Sequence, residues 1–438
     1  MVILGLGSNV GDKLANLRFA LHLIKKIPAF SVAHVSPVYL SDALLPDNAP
    51  VTWDTPYLNL ALLCETTLTP YALLHHVKEI EKKIGRTPEK VWGPRIIDID
   101  ILAWDALIQH DEKLHIPHEH LDERPFALWP LADVAPFWMD PLNNKTAAEM
   151  VAKWGSRFNG KAPFHTQQIA QRIDTPQLMG IINATPDSFS DGGKYTNDRL
   201  AADYAHQLVL AGAEIIDIGA EATNPKATAI SPEEEWRRLE PVLTAIMTQS
   251  TKMFIKPKIS IDTRHPDVAK KALVLGADWI NDVSGLENAA MRDVVANNAC
   301  DIVVMHHLGI PVNKALTLPL NQNPIDLVLR WGEARLAEIT QQGIAQERLI
   351  FDVGIGFGKT AEQSLALLRH IDQFHQLGVR LLVGHSRKRF LNLFTDKPFA
   401  ERDIETTVLS LQLAQQQIHY LRVHNIEMHA RAFKIAGS

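Results

Sequence analysis

A chain of 438 residues exceeds one ordinary globular core and points to two or three domains. Hydrophobic residues at 46% and charged residues at 21% exclude general disorder, collagen and coiled coil, and a formal net charge of -6 argues against an overall attraction to nucleic acid while leaving local basic pockets open. The two cysteines, Cys64 and Cys300, form no CxxC pair, and neither a basic leader nor an apolar run of about 20 residues is visible, so the expectation is a cytoplasmic protein with no disulfide framework and no membrane span.

In chain order, residues 2–6 read as a strand, 12–27 as an amphipathic helix, 32–40 and 57–66 as strands, 70–84 as a helix and 96–104 as a strand. That βαββαβ order is an α+β sandwich of ferredoxin type. The rhythm breaks over 143–176, which places a first domain at 1–158, a linker at 159–175 and a second domain at 176–438. Downstream, eight short apolar strands (179–183, 214–219, 258–263, 279–283, 301–306, 348–353, 380–384 and 420–424) alternate with helical stretches. Their number and apolar character predict a (β/α)8 TIM barrel.

Two phosphate-loop look-alikes fail on inspection. Gly5-Leu-Gly7-Ser-Asn-Val10 lacks the third glycine of a dinucleotide fingerprint, and Val353-Gly-Ile-Gly-Phe-Gly358-Lys359-Thr360 lacks the first glycine of a Walker A loop.

In Trp92-Gly-Pro-Arg95-Ile-Ile-Asp98-Ile-Asp100, alternation puts two carboxylates on one strand face, about 7 Å apart. Such a pair suits one or two magnesium ions that also hold nucleotide phosphates, and Arg86 and Arg95 add guanidinium forks for phosphate oxygens. A solvated edge strand is the competing reading. With Gly-Ser-Asn after the first strand, Tyr57-Leu-Asn59, Pro-His118 and Arg124-Pro-Phe126, the segment resembles 6-hydroxymethyl-7,8-dihydropterin pyrophosphokinase over residues 1 to about 140. The resemblance implies catalytic roles for Arg86, Arg95, Asp98 and Asp100, magnesium on the two aspartates, ATP contacts from those residues and from Glu81, His118 and Arg124, and a pterin clamp of Tyr57, Asn59 and Phe126. A surface-helix role for Glu81 stays open. Departures are a short segment between Arg86 and Trp92 and Glu119 in place of a frequent aromatic.

In a barrel, chemistry belongs at the C-terminal strand ends, and polar residues gather there: Asn183, Thr223, Asp262, Asn281, His306, Asp352, Lys388, Arg422 and His424. Amide and carboxylate groups suit a heterocycle's hydrogen-bonding edge and the basic groups suit a phosphate, so a ring-plus-phosphate substrate is expected. Individually, Asp262 could cap the following helix and Asn281 could satisfy backbone groups. The loop wording Asn183-Ala-Thr-Pro-Asp187-Ser-Phe-Ser-Asp191, Ile-Asp262-Thr, Asp352-Val-Gly-Ile-Gly-Phe-Gly-Lys and His385-Ser-Arg387-Lys388 is similar to dihydropteroate synthase over about 175–438.

That resemblance implies a pterin held by Asp262, Asn281, Asp352 and a catalytic Lys388, pyrophosphate held by Asn183, Thr223, Arg422 and His424 with magnesium at Asn183, and p-aminobenzoate near Ser188, Phe189 and Arg389. Asn224 stands where the family usually shows Arg, and Arg389 where Ser is common, so Arg389 is expected to replace part of the lost charge. Together the halves imply consecutive steps of folate biosynthesis, with ATP as co-substrate, magnesium at both sites, no nucleic-acid or membrane partner, and a possible homodimer. A pterin-binding methyltransferase barrel with a non-catalytic first domain is the alternative.

Overall fold

The computed structural model describes residues 1–86, 93–184, 197–221, 229–313 and 315–437, in two compact units: Met1–Asp174 with Lys434–Ser438, and Thr175–Phe433. The first unit runs β1 (Val2–Ser8), α1 (Lys13–Ile24), β2 (Phe30–Val35), β3 (Tyr39–Ser41), β4 (Tyr57–Thr66), α2 (Pro70–Ile84) and β5 (Asp98–Trp104). The sheet order β5-β1-β4, with β2 and β3 both on the far side of β4 and all pairs antiparallel, is the expected ferredoxin-like arrangement. Thr69 caps α2 through Ala72 N, Pro70 pre-sets its first turn, and Gly85 closes it at φ 106°.

The single strand expected over 32–40 is interrupted. Pro37 has no N–H to give the ladder, and Ser36 fills the gap by accepting from Ala61 N through its hydroxyl at 2.9 Å. Beyond β5 lie a short hairpin of β6 (Gln109–His110) and β7 (His115–Ile116), then α3 (Pro125–Val134) and α4 (Ala147–Val151). Helix α3 buries Leu128 and Trp129 against Ile3, Tyr39, Ala61 and Leu102. Of residues 159–175, expected as linker, those through Asp174 belong to the first unit, and two of them join its sheet: β8 (Gln167–Gln168) pairs with β3, and Gln168 N donates to Arg157 O at 2.7 Å. Short polar strands at a sheet edge carry no apolar alternation, so the sequence pattern does not reveal them.

The second unit is a closed parallel barrel of β9 (Gln177–Asn183), β10 (Ile215–Gly219), β11 (Lys258–Asp262), β12 (Trp279–Asp282), β13 (Asp301–Met305), β14 (Leu349–Asp352), β15 (Arg380–Val383) and β16 (Tyr420–Val423). Each expected strand is present, with ends that shift by a residue or two. The intervening helices are α5 (Asn197–Ala211), α6 (Pro232–Ser250), α7 (Pro266–Val274), α8 (Ala289–Ala296), α9 (Pro324–Gln341), α10 (Ala361–Arg369) and α11 (Asp403–Gln415), and α12 (Ile426–Ala436) follows β16. Met179, Ile215, Trp279, Val303, Ile350, Leu382 and Tyr420 form one buried cluster. Both cysteines are buried and free, with burial raising the Cys64 thiol to about 12 and the Cys300 thiol above its ordinary value. Among the described residues, no helix is long and apolar enough to cross a membrane.

Candidate active sites

In the first unit, alternation along β5 turns Ile99 and Ile101 into the core and leaves Asp98 and Asp100 half-buried on the other face. They line a cavity of about 340 Å³ with Tyr57, Asn59, Arg95, His118, Arg124 and Phe126. Its floor is central strand β1, where Gly7 faces Asn59 on one neighbour and Asp98 on the other, and Gly5 faces Asp100. A Cβ at Gly7 would stand 3.1 Å from Asn59 Oδ1, so the glycines of the failed nucleotide fingerprint keep the floor open. A second cavity of about 310 Å³ shares Asp100, His118 and Arg124 and adds Lys78, Lys113 and His115.

Arg86 Nη1 donates to Asp98 Oδ1 at 2.7 Å, and Arg95 Nη1 pairs with Asp98 Oδ2. Burial alone would raise the Asp98 carboxyl, but Arg95 and Arg86 hold it below its ordinary value. Asp100 accepts no hydrogen bond among the described residues; burial first, and then Asp98, raise its carboxyl. Glu81 is buried at 2% exposure, where it accepts from Ile99 N and Lys78 Nζ at 2.8 Å each and pairs with Arg86, so it lines neither cavity and steadies an arginine that meets Asp98. The Gly-Ser-Asn segment steadies the other arginine in a comparable way, with Asn9 Oδ1 accepting from Arg95 N at 2.7 Å and Ser8 Oγ donating to Ile96 O at 2.7 Å.

In the barrel, the second unit's site follows from strand period. Two residues beyond Ile215, Trp279, Ile350 and Tyr420 of the apolar cluster come Asp217, Asn281, Asp352 and Arg422, on the same interior face but nearer the C-terminal ends. Ser260 and Asp262 repeat the step on β11. Arg422 Nε donates to Asp217 Oδ2 at 2.6 Å and its Nη2 to Asp262 Oδ2 at 2.9 Å. Burial raises the Asp262 carboxyl to about 7 against the pull of Arg422. Asp262 caps nothing; Thr263 Oγ1 takes the N–H of His265 ahead of α7. Asp352 accepts from Gly354 N at 2.7 Å, and burial raises its carboxyl although Lys388 opposes. Lys388 Nζ donates to Ile355 O at 2.6 Å over the ring of Phe357, and burial lowers its ammonium to about 8. His424 bonds Ser386 Oγ through Nδ1 at 2.9 Å, and burial lowers its imidazole to about 4.

Asn183 is exposed at the end of β9. Thr223, Ser188, Phe189 and Asn224 lie outside the described residues. Arg389 is exposed and makes no hydrogen bond or ion pair among the described residues, whereas Arg264 binds Glu221, at the root of the second loop, through Nε at 2.7 Å and Nη2 at 2.9 Å. His306 faces away from this chemistry: Lys359 Nζ meets its Nδ1 at 2.8 Å, and burial lowers its imidazole to about 2. Asp217, unremarked in the sequence, is fully buried at the centre of the polar layer. The repeated step from an apolar cluster residue to a polar one two positions on is the signal that identifies it.

Comparison with known proteins matches residues 179–424 to a family model described as pterin binding enzyme and residues 3–136 to one described as 7,8-dihydro-6-hydroxymethylpterin-pyrophosphokinase. The folate synthesis bifunctional protein of Chlamydia caviae is 36% identical over 451 residues, covering 100% of this chain and 97% of the relative. The mitochondrial folate synthesis bifunctional protein of Pisum sativum is 35% identical over 478 residues, covering 100% and 89%. Among solved structures, dihydropteroate synthase from Anaplasma phagocytophilum with bound 6-hydroxymethylpterin-monophosphate matches 60% of this chain and 98% of its own at 36% identity and a TM-score of 0.55. The Xanthomonas albilineans enzyme with 4-aminobenzoic acid covers 60% and 92% at 35% identity and a TM-score of 0.55. A carboxylate-lined cavity on a ferredoxin-like sheet and a barrel with a polar layer at its C-terminal end thus stand in one polypeptide, and the chain belongs to the family of bifunctional folate-synthesis enzymes that join a pterin pyrophosphokinase to a dihydropteroate synthase.

Proposed function

We propose that the two cavities of the first unit, meeting at Asp100, His118 and Arg124, hold pterin and ATP respectively, and that the polar layer of the barrel holds the pterin diphosphate made there. In the first step the hydroxymethyl oxygen of 6-hydroxymethyl-7,8-dihydropterin attacks the β-phosphorus of ATP and gives up its proton to solvent, the bond from that phosphorus to the α-phosphate oxygen breaks, and AMP leaves. Tyr57, Asn59 and Phe126 orient the pterin, while Arg86, Arg95 and Arg124 place positive charge on the phosphate chain and His118 offers it a ring N–H. Among the described residues no group of three metal-ligating side chains is found, but Asp98 and Asp100 share a cavity-facing strand face and Asp100 has no protein donor. This pair fits magnesium, whose charge would offset that of the phosphates when bound. Its remaining ligands would come from the nucleotide and water.

In the second step the amine of p-aminobenzoate takes the exocyclic methylene of the pterin, the carbon–oxygen bond breaks, and pyrophosphate departs while the amine loses a proton to solvent. Asp262, Asn281, Asp352 and Lys388 would read the ring; Asn183, Thr223, Arg422 and His424 would take the diphosphate. Asn183, exposed at the end of β9, would help to hold a magnesium ion, whose charge would offset that of the diphosphate. Ser188 and Phe189 would border p-aminobenzoate, whose carboxylate the exposed Arg389 would meet. The cations Lys388 and Arg422, with the neutral His424 imidazole as a hydrogen-bonding partner, favour a diphosphate over the methylated folate that a methyltransferase barrel would bind. Cytoplasmic residence and a homodimer complete this reading, testable by fractionation and light scattering.

The observation that carries the proposal is the pairing of cavity-facing carboxylates in one unit with the polar interior layer in the other. The test follows AMP and dihydropteroate together from ATP, magnesium, 6-hydroxymethyl-7,8-dihydropterin and p-aminobenzoate. Asp98→Ala should lower AMP formation by at least about a hundredfold while dihydropteroate still forms from supplied pterin pyrophosphate. Undiminished AMP formation would remove Asp98 from the reaction.

A further inference from the structure

Asp217 is a wholly buried carboxylate within the barrel's polar layer, bonded to members of both its halves. Its Oδ1 accepts from Ser260 Oγ at 2.6 Å, its Oδ2 accepts from Arg422 Nε at 2.6 Å, and Asn281 Nδ2 approaches both oxygens at 3.3–3.4 Å. Three strands, β11, β12 and β16, are therefore tied to one residue of β10. Arg422 spends Nε on Asp217 and one N–H of Nη2 on Asp262, and its Nη1 makes no hydrogen bond among the described residues. The guanidinium is pinned along one edge and open along the other.

We propose that Asp217 is a positioning residue, which holds the Arg422 fork at the height where its open edge meets a diphosphate and so couples recognition of the pterin ring to recognition of the phosphates. This rests on the assignment of Asp262 and Asn281 to the ring and of Arg422 to the diphosphate. With Asp217 in place, Arg422 has a buried counter-charge of its own and leaves Asp262 a free oxygen for the ring. Without that charge, Arg422 keeps its hydrogen bond to Asp262 and the weaker pull of Asp352, both of them ring carboxylates, so the arginine tilts toward the ring and away from the phosphates. A buried ion pair is sensitive to loss of one member because the other is left uncompensated.

The experiment compares the binding of 6-hydroxymethylpterin diphosphate with that of the free 6-hydroxymethylpterin alcohol to a full chain that carries Asn59→Ala and Phe126→Ala, so that the first unit offers the alcohol no clamp, and the ratio of the two affinities is the readout. Asp217→Asn, with thermal unfolding checked, should shrink this ratio by about tenfold. It should raise the KM for the diphosphate while that for p-aminobenzoate stays unchanged. In a chain already carrying Arg422→Met, Asp217→Asn should shrink the ratio no further. Ser260→Ala, which removes one donor to Asp217 and changes no charge, supplies a milder variant should the first not fold, and should shrink the ratio two- to threefold, roughly the effect of one lost hydrogen bond. A wild-type ratio in both variants, or equal effects of Asp217→Asn with and without Arg422, would overturn the proposal. A chain with an unaltered barrel that binds alcohol and diphosphate equally would instead overturn the assignment of Arg422 beneath it.

Discussion

Burial draws the Lys388 ammonium down to about 8, while Asp352 works to keep it charged. Because the cation is the form suited to the ring, kcat/KM for dihydropteroate formation from supplied pterin pyrophosphate should fall as pH rises through about 8. Asp352→Asn removes the charge that supports the ammonium, so the same limb should move to lower pH in that variant. A pH profile flat to pH 9.5 in both proteins would dismiss a charged Lys388. In the first unit, Asn9 is 2% exposed and fixes the backbone of Arg95. Asn9→Ala should cost about 1–3 kcal/mol of stability, read by thermal unfolding, and raise the KM for ATP severalfold with a smaller effect on kcat. What the sequence made legible at this scale was whatever period two or a known motif exposes: Asp98, Asp100, Asp262, Asn281, Asp352, Lys388 and Arg422 all face the cavities or belong to the polar layer. Asn9 and Asp217 act through partners 86 and 205 residues away, so their roles, unlike the Gly-Ser-Asn motif or the two-residue step from Ile215 that marks their positions, leave no local pattern.

The loop after β14 shows what an element requires of its residues. Gly354 sits at φ 67°, and a Cβ there would come 1.8 Å from the carbonyl oxygen of His306, so the loop lies flat against the end of β13. That contact places Ile355 O under the Lys388 ammonium, and Lys359 pins the loop's far side by donating to Phe357 O at 3.0 Å. Gly354→Ala combines a disfavoured backbone angle with a backbone clash, and we expect a loss of at least about 3 kcal/mol together with loss of dihydropteroate formation. Calorimetry that shows an unchanged barrel transition would disprove that expectation. Strands and helices of the barrel were readable because each buries an apolar run that is set off by turn residues. The break at Pro37 and the edge strand β8 were not, since a proline can either end a strand or border one, and Gln167–Gln168 has no apolar face at all.

Across the whole molecule, the residues placed in the first reaction all fall within Met1–Asp174 and those placed in the second within Thr175–Phe433. Each activity should therefore survive the loss of the other. Chains carrying Asp98→Ala and chains carrying Lys388→Ala, inactive separately in the two-step assay, should together convert hydroxymethyldihydropterin to dihydropteroate once mixed. No product from the mixture would mean that an intermediate released by one chain cannot be used by another. The two thiols lead to a different kind of experiment. Cys64 and Cys300 are enclosed in separate units and both are held in the unreactive protonated form, Cys64 with a thiol near 12. A chromogenic thiol reagent should find none in the native protein and two after denaturation. A single Asn392→Cys replacement, at an exposed position with no part in binding, would then be the sole handle for a fluorophore or spin label, so ligand-driven movement could be followed without first stripping the native thiols from the chain.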